Sequence, residues 1–384
     1  MIHKYVNSFD YTYISDDKPF ELHQMGNYIS VFQDEMYDFS EYQIAILGVK
    51  ESRNADHGNI TCDLAPEEVR KFLYRLNVAR LFPKIIDLGN IIEGETPQDT
   101  MEHVETVLRY LHNQGLTVII IGGSQDITVP QIKAMDEVSR FINLCIVDER
   151  IDIDGRSQEV LSSNYLKEVV MQKTPQVFNL HLFGYQTYYT YEHQLEQLEK
   201  MNFNYLRLGQ LRYEIPKYEY IFRDCHVASI DIASVKQSDA PGRSMQSPNG
   251  FFSDELCQIA RYCGLSTRLQ SIGFYEFNPN FDLRNQTAQL YAQAIWYFLE
   301  GFSLRYDFSP NSEAMKAQCK NYIVAPEGFE EQPFHFWKYE DLNQWWFEAK
   351  TNKLSHYFAC SYDDYVSCSQ GLITDYIFKI LKRI

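Results

Sequence analysis

The sequence predicts an α/β protein of three layers, with helices on both faces of a mainly parallel central sheet, plus a small C-terminal α+β appendage. Short apolar runs of strand length recur along the chain, and amphipathic stretches separate most of them. The runs are continuously apolar and do not alternate with polar residues. Strands of this kind are buried on both faces, as in parallel sheets whose strands are joined by helices.

The individual elements follow from hydrophobic periodicity and from helix start and stop signals. Pro66 favours a helix start, and Gly115 ends the second helix directly before an apolar run. The predicted helices are 65–76, 101–115, 253–264 and 284–302. The predicted strands are 42–49, 84–90, 116–123, 141–148, 177–184, 204–209, 225–232 and 269–277.

The composition changes after residue 302. Residues 303–384 hold three of the four tryptophans, and their aromatic runs are typical of short strands before one final helix. We therefore divide the chain into an α/β domain at 1–302, which includes an N-terminal extension at 1–41, and an aromatic-rich appendage at 303–384. The aromatic side chains of the appendage are expected to form its core or a face between subunits.

Charge and hydropathy exclude several classes of partner. The net charge of −17 and the absence of Lys/Arg runs argue against nucleic acid and anionic membranes. No stretch approaches the roughly 20 apolar residues that cross a bilayer, and the N-terminus lacks a signal-peptide core. We expect a cytoplasmic protein that binds a small molecule or another protein and that can form homo-oligomers. The eight cysteines form no CxxC pair, so buried thiols are expected, not disulfides or a zinc site.

Polar clusters stand at the ends of four predicted strands. They are "GGSQD" (122–126), "DERID" (148–152), "SIDIASVKQSDAPG" (229–242) and "EFNPNFD" (276–282). Parallel strands end at one edge of a sheet, where such sheets bind ligands, so these clusters are expected to converge. The first cluster lacks the glycine spacing of the phosphate-binding loops, which argues against a nucleotide. His181 and His226, on central strands, are expected to be core or rim residues.

In this order, the four clusters resemble the motifs of the ureohydrolase superfamily of arginase, agmatinase and formimidoylglutamase. Those motifs are GG-x-H, D-A-H-x-D, S-x-D-x-D-x-x-D-P-x-x-A-P-G and E-x-N-P-x-x-D. Three further segments resemble motifs of the same family: "GVKESRNADHGN" (48–59), "APEEVR" (65–70) and "DLGN" (87–90). The resemblance covers about residues 42–302 and implies an arginase-like fold. It also implies the family's chemistry, in which two manganese ions activate a hydroxide that attacks a guanidino or formimino carbon.

Carried over residue by residue, the resemblance keeps only part of the metal site. The positions that match ligands of the first ion are Gln125, Asp148, Asp152 and Asp231. Gln125 stands where the family has a histidine, whereas the three aspartates are retained. The family's second ion uses a histidine and an aspartate, and Arg150 and Ala233 occupy these two positions. The resemblance therefore implies that the second metal site is lost.

Arg150 is expected to replace the second ion, because a guanidinium supplies a fixed positive charge and five hydrogen-bond donors. This hypothesis predicts charge-assisted bonds from Arg150 to at least one of Asp148, Asp152 and Asp231. We then expect no bound cofactor, and the alternative is one Mn²⁺, Mg²⁺ or Ca²⁺ ion at the residual ligands.

Glu276 matches the family's acidic residue that accepts hydrogen bonds from the cationic end of the substrate, so it is the candidate ligand-binding residue. The alternative is that "EFNP" only shapes the turn after the strand. Because both ligand histidines are missing, the main hypothesis is a protein that has lost dimetal hydrolysis and binds an amidine- or amine-like ligand or a protein partner. The alternative hypothesis is a metal-dependent hydrolase of C–N bonds in linear amidines, with one metal or a rearranged site. No catalytic residue is assigned at this point.

Overall fold

A computed structural model of the chain describes residues 2–9, 11–15, 18–33, 38–56, 58–135, 141–154, 159–171, 177–329, 331–351 and 354–384. Its main feature is a ten-stranded sheet. The strands are β1 Val6–Asn7, β2 Ser30–Val31, β3 Ile44–Gly48, β4 Ile85–Ile91, β5 Thr117–Ile121, β6 Ile142–Val147, β7 Val177–Tyr185, β8 Asn204–Arg207, β9 Val227–Asp231 and β10 Ser271–Tyr275. All eight strands predicted in this part of the chain are present.

The strand order explains why the polar clusters meet. The order is β1-β4-β3-β5-β10-β9-β6-β7-β8, with β2 beside β4. Every pairing is parallel except that of β1 with β4. The chain leaves the centre after β5, builds β6 to β8, and then returns to insert β9 and β10 between β5 and β6. The four strands that precede the polar clusters are therefore neighbours.

Helices cover both faces of this sheet, as predicted. The helices of the α/β part are α1 Tyr11–Ser15, α2 Ala65–Leu73, α3 Pro97–Asn113, α4 Thr128–Lys133, α5 Tyr165–Met171, α6 Glu192–Lys200, α7 Leu208–Leu211, α8 Glu219–Phe222, α9 Ser253–Gly264 and α10 Gln286–Ser303. Helices α2, α9 and α10 share one core with the strand residues of one face. Helix α3 packs on the opposite face near β3 to β5, and α4 and α5 pack on it near β6 and β7. Each central strand thus buries both faces.

The C-terminal part is an α+β unit, as predicted. It contains helix α11 Glu313–Lys316, the strands β11 Cys319–Val324, β12 Phe334–Tyr339, β13 Gln344–Lys350 and β14 Ser355–Cys360, and the helices α12 Tyr362–Ser369 and α13 Asp375–Arg383. The four strands form an antiparallel sheet in chain order. This sheet packs on the α/β part, where the Phe358 ring stacks on Phe178 at 5.3 Å. Arg268 adds an ion pair to Asp224, whose carboxylate accepts from the backbone N–H of Ala359.

The single final helix that the sequence predicts is in fact two helices. Gly371, with φ of +89°, ends the first of them. The N–H of Leu372 donates to Ser367 O and that of Gly371 to Cys368 O, the arrangement of a left-handed helix cap. The apolar residues keep a helical spacing on both sides of Gly371, so hydrophobic periodicity alone does not show that the helix ends there. The second helix then turns back, and the Tyr376 hydroxyl donates to Ala359 O.

Three smaller expectations can also be compared with the structure. None of the described helices is long and apolar enough to span a bilayer. All eight cysteines are free thiols, and seven of them are buried. His181 and His226 are buried in the core, and burial lowers the pKa of each to about 3. The prediction that they are core histidines is therefore confirmed.

Candidate functional site

The sequence-predicted residues meet at the carboxyl edge of the four central strands. Gln125 follows β5, Asp148 follows β6, Asp231 ends β9 and Glu276 follows β10. All four side chains are buried. The backbone N–H of Gln125 donates to Glu276 Oε1 at 3.0 Å, which ties the ends of β5 and β10 together. The convergence that strand order predicts is therefore present.

Gln125 presents an unused acceptor to this site. Its side-chain Nε2 donates to Ser229 Oγ at 3.2 Å, which fixes the orientation of the amide. The other amide atom, Oε1, is buried and has no hydrogen-bond partner in the described part of the chain. A buried acceptor without a donor is costly, and such atoms call for a missing water, ion or ligand.

The three aspartates form one electrostatically coupled group. Burial raises the pKa of Asp148 well above its ordinary value, and the neighbouring Asp152 raises it further. Burial also raises the pKa of Asp152, to about 7. The pKa of Asp231 is raised by burial, against the opposing effect of the positive charge of Arg243. Close, buried carboxyls of this kind favour either bound protons or a bound cation.

Ala233 and Arg150 do not contribute side-chain ligands. Ala233 is buried, and its backbone N–H donates to Asp231 Oδ1 at 2.7 Å. The Arg150 side chain turns away from the aspartates: its Nε lies 3.4 Å from Glu149 Oε1, and its guanidinium stacks on the Tyr189 ring at 4.0 Å. Only the backbone N–H of Arg150 contacts Asp148. The prediction that the Arg150 guanidinium pairs with Asp148, Asp152 or Asp231 is wrong, because the aromatic ring and Glu149 hold it at the rim.

The sequence analysis missed Arg243, the cation that does enter the cluster. Its Nη2 lies 3.9 Å from Asp231 Oδ2, and its Nη1 lies 3.8 Å from Glu149 Oε1. The side chain is only 7% exposed. Arg243 directly follows the Ala-Pro-Gly that ends the third cluster. This position beside the motif is the sequence feature that could have identified it as a site residue.

Glu149 was also missed, although it lies inside the "DERID" cluster. Neither of its buried carboxylate oxygens has a hydrogen-bond partner among the residues that the structure describes. Burial raises the pKa of Glu149, and Arg243 and Arg150 oppose that effect. A buried carboxyl with a raised pKa is a candidate for proton transfer.

Glu276 is held in an uncommon backbone conformation, with φ of +62°. Asn59 Nδ2 donates at 2.8 Å to both the carboxylate Oε2 and the backbone oxygen of Glu276. The Asn59 Oδ1 accepts from Asn278 Nδ2 at 3.1 Å. Asn59 comes from the 48–59 loop, whose residue 57 lies outside the described part of the chain. This loop therefore positions Glu276, and sequence reasoning did not single out Asn59.

A second residue of the same loop reaches the neighbouring cluster. Asn54 Nδ2 donates to Asp126 Oδ2 at 2.8 Å, whereas Asp126 Oδ1 is buried without a partner. Burial raises the pKa of Asp126 to about 6. The loop thus closes the site above both β5 and β10.

The donor set fits a hard divalent cation. In the described residues, no three His, Cys, Asp or Glu side chains are already arranged as a metal site. The unpartnered Oε1 of Gln125 and the three buried aspartates nevertheless supply only oxygen donors, which Mg²⁺, Ca²⁺ and Mn²⁺ prefer. A divalent cation would also remove the repulsion among the aspartates.

Comparisons with known proteins identify the family of the chain and several relatives. The arginase family model matches residues 42–300. A formimidoylglutamase of Staphylococcus haemolyticus is 23% identical over 269 residues, which are 67% of this chain and 85% of that protein. The crystal structure of formimidoylglutamase from Bacillus subtilis superposes with a TM-score of 0.65 at 20% identity, covering 74% of this chain and 93% of that one.

A further solved relative bears on the cofactor. The crystal structure of Trypanosoma cruzi formiminoglutamase with Mn²⁺ has a TM-score of 0.63 at 20% identity, over 71% of this chain and 97% of that one. The expectation of no cofactor is therefore contradicted, because this neighbour points to manganese as the cofactor of the family. Since the family model spans the chain from the start of the first central strand to the last long helix, the chain belongs to the arginase family.

Proposed function

We propose that the chain is a metal-dependent hydrolase that cleaves a C–N bond of a linear amidine and uses one divalent cation. The observation that carries this proposal is the group of three buried, interacting aspartates at the sheet edge where Gln125 and Glu276 also lie. The relatives named formimidoylglutamase support the substrate class, and the one solved with Mn²⁺ supports the metal.

The residues that would hold the ion are Gln125, Asp148, Asp152 and Asp231. A divalent cation bound there would supply Lewis-acid polarisation of the attacking water or of the substrate. Asp231 is kept in place by the N–H of Ala233, and Gln125 by its bond to Ser229. These hydrogen bonds would orient the ligand oxygens before the ion binds.

Glu276 would bind the amidinium group of the substrate. Its carboxylate accepts from Asn59 and from the N–H of Gln125, which fixes its plane. A carboxylate held in this way can still accept charge-assisted hydrogen bonds from an amidinium. Asn59 and the positive-φ backbone would thus hold Glu276 in place for the N–H groups of the amidinium.

Glu149 would deliver the proton that the leaving nitrogen needs. In the reaction, the oxygen of water bonds to the amidine carbon, the C–N bond breaks, and the nitrogen leaves as an amine after taking up a proton. Burial raises the pKa of Glu149, which favours the protonated form that such a step requires, and Arg243 and Arg150 oppose this effect. The carboxyl is regenerated by the proton that the attacking water releases.

The test combines metal analysis with product assays. Protein stripped with a chelator is loaded with Mn²⁺ and supplied with formimino and guanidino amino acids, and release of formamide, urea and amine is measured. We expect bound metal and product with the natural chain, neither with Asp231→Ala, and metal without product with Glu149→Gln. Asp239→Ala is the matched control, because Asp239 pairs with Lys236 outside the site. Absence of metal uptake by the natural chain would refute the proposal.

A second candidate function is ligand binding without turnover. It is favoured by Arg150 and Ala233, which supply no ligand for a second ion. Metal-dependent binding of an amidine without release of product would support this candidate against hydrolysis.

A further inference from the structure

The guanidinium of Arg243 lies among carboxylates at the centre of the site. Its two terminal nitrogens face Asp231 and Glu149, and the charge of Glu276 also acts on it. Among the described residues no other Arg or Lys forms an ion pair with Asp231. Arg243 is therefore the positive charge nearest to the predicted metal ligand that ends β9.

The guanidinium is placed there by the backbone and not by tight bonds. Both ion pairs are longer than a hydrogen bond, and no described residue forms a hydrogen bond with the buried Nε of Arg243. Gly242, the preceding residue, is fixed: its N–H donates to Thr287 Oγ1 and its oxygen accepts from Asn278 N, each at 2.8 Å. A Cβ at Gly242 would lie 2.7 Å from the Phe277 ring, so the chain approaches closely only because of this glycine.

We propose that Arg243 is a built-in cation that takes the place of a second divalent ion, so that the chain takes up one metal ion and not two. The inference rests on the proposed function for the first ion only. Its guanidinium balances the charge at Asp231 Oδ2 and lies beside Glu149, while Asp231 Oδ1 accepts from the Ala233 N–H. A guanidinium keeps its charge at every pH of interest and does not exchange with solvent ions.

This role has consequences that a merely structural arginine would lack. If the site is shaped for a guanidinium, it should bind a free guanidinium ion when the Arg243 side chain is removed. The fixed charge should also repel a divalent ion bound to the neighbouring oxygens, since like charges at this range interact appreciably even at a high effective dielectric constant.

The first experiment is chemical rescue of Arg243→Ala without metal. Melting temperature is measured with millimolar guanidinium chloride. Sodium chloride is the control for ionic charge, and urea is the control for molecular shape without charge. Guanidinium should raise the melting temperature of Arg243→Ala by about 2–4 °C, as a bound ligand does, and leave the natural chain unchanged. Arg150→Ala is the matched control, because Arg150 also faces Glu149 but lies at the rim, and it should show no rescue. Equal responses of the two variants would overturn the proposal.

The second experiment counts metal ions and covers the case in which the alanine variant does not fold. Mn²⁺ binding to the natural chain, Arg243→Gln and Arg243→Lys is measured by calorimetry and elemental analysis. We expect one ion in the natural chain, at least about tenfold tighter binding in Arg243→Gln, and unchanged affinity in Arg243→Lys, which keeps the charge. Two ions in the natural chain would overturn this inference and the single-ion part of the proposed function, and would leave metal-dependent hydrolysis standing. No ion in the natural chain, with rescue of Arg243→Ala, would instead refute the proposed function and uphold the cation site.

Discussion

The side-chain amide of Asn59 donates to both the carboxylate and the backbone oxygen of Glu276, at 2.8 Å each. The two residues are 217 positions apart, and both are buried. Through this contact the 48–59 loop holds a glutamate whose φ of +62° is unfavourable for a residue with a side chain. Asn59 is therefore a positioning residue for the candidate ligand-binding carboxylate.

Asn59→Ala should lower the free energy of unfolding by about 1–3 kcal/mol, because it leaves buried groups of Glu276 without a donor. Urea denaturation measures this change. Asn280→Ala is the control, since Asn280 donates to Thr61 at an exposed position and its loss should cost less than about 0.5 kcal/mol. Similar losses in the two variants would show that Asn59 does not hold Glu276.

Arg150→Ala should change stability by less than about 1 kcal/mol. Its guanidinium is partly exposed and forms only a loose pair with Glu149 and a stack on Tyr189. Thermal unfolding of the metal-free protein measures the effect. A loss of several kcal/mol would instead support the sequence-based prediction that Arg150 neutralises the aspartates.

Arg70→Ala should cost about 3–5 kcal/mol, because it strands the buried carboxylate of Asp87. Arg70 Nε and Nη2 donate to the two oxygens of Asp87 at 2.8 and 2.9 Å, and both side chains are inaccessible to solvent. Chemical denaturation provides the measurement. Arg261→Ala, which breaks the partly exposed pair with Glu300, is the comparison and should cost up to about 1 kcal/mol.

The metal-free protein should lose stability as the pH rises through the neutral range. Asp152 and Asp126 have pKa values raised to about 7 and about 6 in the folded state, above those of the unfolded chain. Such groups contribute stability below the unfolded pKa, and this contribution is lost as the pH rises through the folded pKa. Bound Mn²⁺ should reduce the loss, because it stabilises the ionised aspartate.

Melting temperatures across this pH range, with chelator and with Mn²⁺, test that expectation. Asp152→Asn removes one of the two titrating groups, so the metal-free variant should show a shallower decline. A metal-free melting temperature that rises from about pH 5 to about pH 8 would contradict the raised pKa values.

Local sequence patterns determined most of the fold. The runs of β3 to β7, β9 and β10 are buried on both faces, so their hydrophobicity alone identifies them as strands of a covered sheet. Position at a strand end was enough to bring Gln125, Asp148, Asp231 and Glu276 together, because parallel strands end at one edge. The glycine stop at Gly371 was missed because apolar periodicity runs on across it.

The tertiary structure decided which arginine serves the site. By sequence, Arg150 lies between two of the aspartates, but Tyr189 and Glu149 draw its long side chain to the rim. Arg243 enters the centre because Gly242 lets its backbone pack against Phe277 and Thr287, which come from later segments. Sequence determined where the carboxylates stand, since strand ends are local features. Side-chain direction and contacts between distant loops depend on packing, so only the folded chain shows what neutralises them.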